Sequence, residues 1–165
     1  MPSVFKNIVR FIVLVVVQVL ILNNIQFLGY VNPALYIYFI LTLNVRTSRW
    51  AVLILAFALG LIVDIFSNTA GLHAFATVFV AFMRAPAINI FTSVDESTNP
   101  EPSVSTFGWM AYIRYAGLLV LIHNALIFII EAFSFVDFGI IFLKILLSSI
   151  VTLLLIIAIQ MLKKR

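Results

Sequence analysis

The chain has 165 residues, 64% apolar and 10% charged, with no cysteine and a formal net charge of +4; its mean hydropathy is +1.22. Soluble domains are about 45–50% apolar and about 25% charged, so this chain cannot cover a soluble surface and reads as an all-α integral membrane protein. Disulfides and thiolate metal sites are excluded, and cations scattered at the ends of apolar runs are no nucleic-acid signature.

At about 20 residues per crossing plus connections, the length allows one domain of about six spans, a six-helix transmembrane bundle. Lys6 and Arg10 precede the first apolar run, residues 5–22. A basic start and a short apolar core could pass for a signal peptide, but Asn23-Asn24-Ile25-Gln26 offers no small-residue cleavage pattern. An uncleaved first span follows, in which Gln18 is expected to face another helix. The second span, 33–44, opens on Pro33, which suits a first helical turn. It is short for about 30 Å of hydrocarbon, and so is expected to be thin, broken or packed inside the protein. Tyr36 and Tyr38 within it, and Tyr30 before it, fit interfacial or bundle-facing roles.

A basic turn, Arg46-Thr47-Ser48-Arg49, leads to the interface residue Trp50 and the third span, 50–66. Ala56, Ala58 and Gly60 within it would allow close helix approach, or simply face lipid. The fourth span is 72–91, with a bend or end expected at Arg84-Ala85-Pro86, because proline disfavours helix in the residue before it. Residues 92–106, TSVDESTNPEPSVST, hold Asp95, Glu96 and Glu101 and nothing able to pack a core, and read as a mobile soluble loop on the cytoplasmic side. The fifth span is 113–132, with His123 and Asn124 in its middle and Glu131 at its end. A turn through Ser134 and Asp137 leads to the sixth span, 138–162, which carries Lys144, Ser148 and Ser149.

Cation placement sets the orientation. An even number of spans puts Lys6, Arg10, Arg46, Arg49, Arg84, Arg114, Lys163, Lys164 and Arg165 on one side. That side is the cytoplasm by the positive-inside rule, with both termini there. Asp64, Asn68, Gly71, His73, Glu131, Asp137 and Lys144 then share the outer half.

An acid costs roughly 2.5–3.5 kcal/mol at the centre of a membrane helix and less near an end. Asp64 therefore has a partner or faces a wet pocket, unless it simply marks the interfacial end of its helix beside the turn residues Asn68 and Gly71. Hydrogen bonds to Asn68 or Thr69 would hold that turn. Lys144 is expected to snorkel to the headgroups, or else to pair with Asp64, Glu131 or Asp137. His73 and His123 lack a cluster of acids and read as hydrogen-bonded histidines of the bundle before metal ligands or proton carriers. His123-Asn124 reads as an interhelical hydrogen-bonding pair. No nucleophile elbow, phosphate loop or HExxH occurs, so neither catalysis nor a bound cofactor or metal has positive support.

The stretch Leu59 to Arg84, LGLIVDIFSNTAGLHAFATVFVAFMR, resembles the MreD family of bacterial rod-shape-determining proteins, most closely versions from the Bacteroidetes. The matching features are Gly60 before Asp64, the break Asn68-Thr69, Gly71-Leu72-His73-Ala74, and Arg84 with Pro86. Asn32-Pro33 and the basic turn before Trp50 also look like that family. The resemblance implies a non-enzymatic component of the cell-elongation machinery in the cytoplasmic membrane. It implies binding to the bitopic protein MreC, with a SEDS glycosyltransferase, a class B penicillin-binding protein and MreB filaments in the same assembly. It also implies a fold similar to the substrate-binding subunits of ECF vitamin transporters. A rival function follows, a small-molecule binder with an outward pocket near Asp64, Asn68, His73 and Glu131. An intramembrane enzyme using either histidine with an acid is the weakest reading. The acidic stretch 95–105 is longer than the family resemblance leads one to expect.

Overall fold

A computed structural model of the chain describes residues 2–24, 31–92, 100–132 and 138–163. Tyr30, Asp95, Glu96, Ser134, Asp137, Lys164 and Arg165 lie outside the described residues. The elements are α1 (Pro2–Leu20) with a 3-10 turn at Leu22–Asn24, a 3-10 turn at Leu35–Ile37 running into α2 (Tyr38–Leu41), α3 (Arg49–Ser67), α4 (Leu72–Phe91), α5 (Val104–Phe107), α6 (Trp109–Ala132) and α7 (Phe138–Lys163).

Five of these are long and apolar enough to cross a membrane: Val4–Asn24, Arg49–Ser67, Leu72–Phe91, Trp109–Ala132 and Phe138–Lys163. That is the make-up of a multi-pass membrane protein. Residues 33–44 are not a sixth helix of that kind. They form the centre of the bundle, and every residue from Ala34 to Leu43 is buried.

The ends of so short a helical stretch leave backbone groups unpaired, which is tolerated at membrane depth where protein surrounds and satisfies them. Here the long helices do so with side chains. Gln18 of α1 accepts from the Leu35 amide at 2.9 Å and donates to the Pro33 carbonyl at 3.0 Å. On α7, Ser148 and Thr152 accept from the amides of Asn32 and Ala34. At the other end Tyr115 of α6 donates to the Leu41 carbonyl, and Arg84 of α4 donates to the carbonyls of Leu43 and Asn44. Arg10 of α1 donates to Thr42. The expectation that Gln18 faces another element holds, and Tyr36 and Tyr38 point inward rather than to an interface.

These bonds also fix direction. Arg10 meets Thr42 while Gln18 meets Leu35, so α1 and the central segment run oppositely. Ser148, Thr152 and Gln160 meet residues 32, 34 and 38 in turn, so α7 runs with it. Around this centre α3 packs on α4, α4 on α6 and α6 on α7.

Two expectations are corrected. Pro86 does not end α4, which continues to Phe91. Its ring is exposed on the helix surface, where the missing N–H leaves no group stranded in the core. Nor is the whole of 92–106 a loop that packs nothing. Pro102, Ser103 and Val104 are buried, and the Val45 amide donates to the Pro100 carbonyl at 3.1 Å.

Candidate functional site

The residues singled out between Gly60 and His73 meet in one hairpin. Helix α3 ends at Ser67, and Asn68 takes the left-handed conformation (φ 55°) that turns the chain out of the helix. Gly71, at φ 81°, brings it into α4. Glycine has no side chain with which to cap the free amides of the new helix, and those amides need an acceptor when buried.

Asp64 provides it from the preceding helix. Its Oδ1 accepts from the His73 amide at 2.9 Å and its Oδ2 from the Ala74 amide at 2.8 Å. The Thr69 hydroxyl donates to Oδ1, and His73 Nδ1–H donates to the same oxygen at 3.0 Å. The Asp64 carbonyl accepts from the amides of both Asn68 and Thr69. One residue thus closes α3, spans the turn and opens α4. A carboxylate at the positive end of α4 is also favoured by the helix dipole.

Gly60, one turn earlier, sets the separation. A Cβ there would lie 2.4 Å from Ala74 Cα and 2.6 Å from Ala74 N. Of the three small residues, Gly60 and Ala56 are buried, and Gly60 is the one against which α4 rests.

Polar contacts continue inward. The rings of His73 and Tyr36 are 6.1 Å apart, and the Tyr36 hydroxyl lies 2.9 Å from His123 Nε2. Asn124 donates to Ser149 of α7 at 3.1 Å. His123 and Asn124 therefore each bind a different element, as an interhelical pair should. Asp64 holds Thr69 as expected, while Asn68 contributes backbone shape. Lys144 is half-buried on α7 and is not among Asp64's partners. Glu131 is exposed. It borders an open groove of about 330 Å³ that also touches Asn23, Asn32, Ser67, Thr69 and His73. Among the described residues no three His, Asp or Glu side chains converge as a metal site would require.

Arg84 and Pro86 lie at the opposite end of α4, and Arg84 serves the central segment rather than the hairpin. That end also holds a cluster the sequence does not announce. Glu101 accepts from Lys6 at 3.3 Å, from Lys163 at 2.8 Å and from Arg10. The first and last described helices are thereby brought to one end of the bundle. Its partners lie 91, 95 and 62 residues away, beyond any local pattern. Burial pushes the Glu101 carboxyl up, but the hydrogen bond from Lys163 and the charge of Arg10 outweigh it and hold the carboxyl below its usual range.

A carboxyl so lowered adds stability that is complete above its unfolded pKa and disappears as pH falls through the folded one. Residues 100–107 are therefore expected to stay docked at neutral pH and to loosen only in acid, as pH falls below the ordinary glutamate range. Amide exchange of Thr106, Phe107 and Gly108, which donate to Ser103 and Val104, would report this. Glu101→Gln should speed that exchange at pH 7 and remove its acid dependence; an unchanged acid profile would contradict the role given to Glu101.

Comparison with family models, with curated proteins and with solved structures finds no match.

Proposed function

We propose that the chain is a non-enzymatic membrane scaffold of the bacterial cell-elongation machinery. In this reading it sits in the cytoplasmic membrane with six crossings, the central segment being one, and with both ends in the cytoplasm. It binds a bitopic partner of the MreC type and so supports shape-determining peptidoglycan synthesis. A SEDS glycosyltransferase, a class B penicillin-binding protein and MreB filaments would belong to the same assembly.

The observation that carries the reading is where the polar groups go. Gln18, Asp64, Arg84, Tyr115, Asn124 and Thr152 are all buried and engaged with this chain's own backbone or side chains. What α1 turns outward is apolar: Phe5, Ile8, Ile12 and Val16 expose 46–72% of their surface along one face of the helix. Such a surface suits apolar helix packing better than it suits substrate chemistry. The likeness of Leu59–Arg84 to the MreD family supplies the biological setting.

Depletion in a rod-shaped host should round the cells, and the tagged chain should co-purify with a single-span partner encoded beside it. Normal rods on depletion, with no such partner recovered, would exclude the scaffold.

The groove bordered by Asn23, Thr69, His73 and Glu131 favours a second reading, a small-molecule-binding subunit resembling an ECF vitamin-transporter component. A thermal shift with a vitamin-like ligand, abolished by Glu131→Gln, would support it. Glu131 is the residue to change because it is exposed and bonded to none of the hairpin.

A further inference from the structure

We propose that the basic end of the α3–α4 hairpin is a binding site for an anionic phospholipid. The site would take the phosphate in a pocket of arginines and one acyl chain in the apolar groove that continues from it. This rests on the multi-pass membrane make-up of the chain and is independent of the scaffold reading.

Three arginines, Arg46, Arg49 and Arg84, line one pocket of about 280 Å³, and among the described residues no acidic side chain lines it. Ser48 caps the start of α3 at the same place, accepting from the Ala51 amide at 3.3 Å. The positive end of the α3 dipole thus adds to the three guanidinium charges. Arg84 is only 4% exposed, and its Nε has no hydrogen-bond partner among the described residues. A buried guanidinium with a donor to spare is costly unless an acceptor arrives.

The pocket does not end in water. Arg49, Ala81 and Ala85 also line a second groove, of about 420 Å³, between α3 and α4. Trp50, Leu53, Phe82 and Pro86 complete it, and Trp50 and Phe82 are 78% and 62% exposed. Proline and alanine leave α4 thin at this level, so the groove is shaped by the same Ala85-Pro86 step that does not end the helix. A free phosphate would use the arginines and leave the groove empty. A phosphate ester carrying an acyl chain fills both, with Trp50 at the boundary where interfacial tryptophans sit.

The test uses the full chain in lipid nanodiscs. The chain has two tryptophans, so Trp109→Phe leaves Trp50 as the reporter. Brominated phosphatidylglycerol, diluted into unlabelled phosphatidylcholine, should quench Trp50 with an apparent affinity about tenfold that of brominated phosphatidylcholine. The double variant Arg46→Gln, Arg49→Gln should bring the two lipids to near parity. Those two arginines are exposed, whereas Arg84→Gln would also disturb the central segment. Inorganic phosphate should leave the quenching unchanged. Equal quenching by both lipids, an undiminished preference in the double variant, or loss of the signal with inorganic phosphate would each overturn the assignment.

Discussion

Replacing Asp64 with leucine is expected to cost about 3–5 kcal/mol, seen as a large drop in the thermal midpoint of the detergent-solubilised chain. Two buried amides, those of His73 and Ala74, would lose their acceptor together with Thr69 and His73 Nδ1. Each buried donor left unpaired costs about 1–3 kcal/mol. Asparagine is nearly isosteric but has one acceptor oxygen. Its amide group would face either the His73 or the Ala74 N–H, donor against donor. Asp64→Asn should therefore sit between, at about 1–2 kcal/mol. Equal midpoints for the leucine and asparagine variants would mean that the carboxylate does not hold the hairpin.

The second large effect is expected at Gly60. An alanine there places a methyl group 2.4 Å from Ala74 Cα and 2.6 Å from His73 O, where ordinary contact begins near 3.4 Å. Both neighbours are backbone, so no rotamer change relieves the clash. Helix α4 must move away by about 1 Å, at about 3 kcal/mol or more. That movement also draws the His73 and Ala74 amides off Asp64. The two sites are then energetically one. Asp64→Leu should cost clearly less in a Gly60→Ala background than alone, and a double-mutant cycle on the thermal midpoints would measure the coupling. Strict additivity would separate the glycine from the carboxylate.

Much of this hairpin could be anticipated from residues alone, and the limits are instructive. Residues 50–66 and 72–91 match α3 and α4 closely because apolar runs of spanning length end abruptly in polar turns. That Asp64 needs a partner follows from its cost in an apolar setting. That the partner is the next helix's own amides does not follow from any pairing rule. The usable signal is Gly71, which starts α4 without a side chain to cap it and is followed as far as Arg84 by no polar side chain but His73 and Thr77, leaving the acid behind it as the acceptor.

The centre of the bundle was half legible. Shortness of 33–44 argues against an ordinary span, but only packing reveals that Gln18, Arg84, Tyr115 and Thr152 all serve its backbone. Glu101 was misjudged because a stretch rich in proline, serine and acid looks solvated, and the cations that dock it come from the two ends of the chain. Of the bend or end expected at Pro86, the end does not occur, because a proline on an exposed helix face strands no buried group.

The central claim is that one carboxylate joins α3 to α4, and amide exchange at His73 and Ala74 tests it most directly. Amides in the first turn of a helix have no intrahelical partner and ordinarily exchange fast. The account predicts slow exchange at both positions in the native chain, and faster exchange at one or both in Asp64→Asn. Fast exchange in the native chain, unchanged by the substitution, would contradict it.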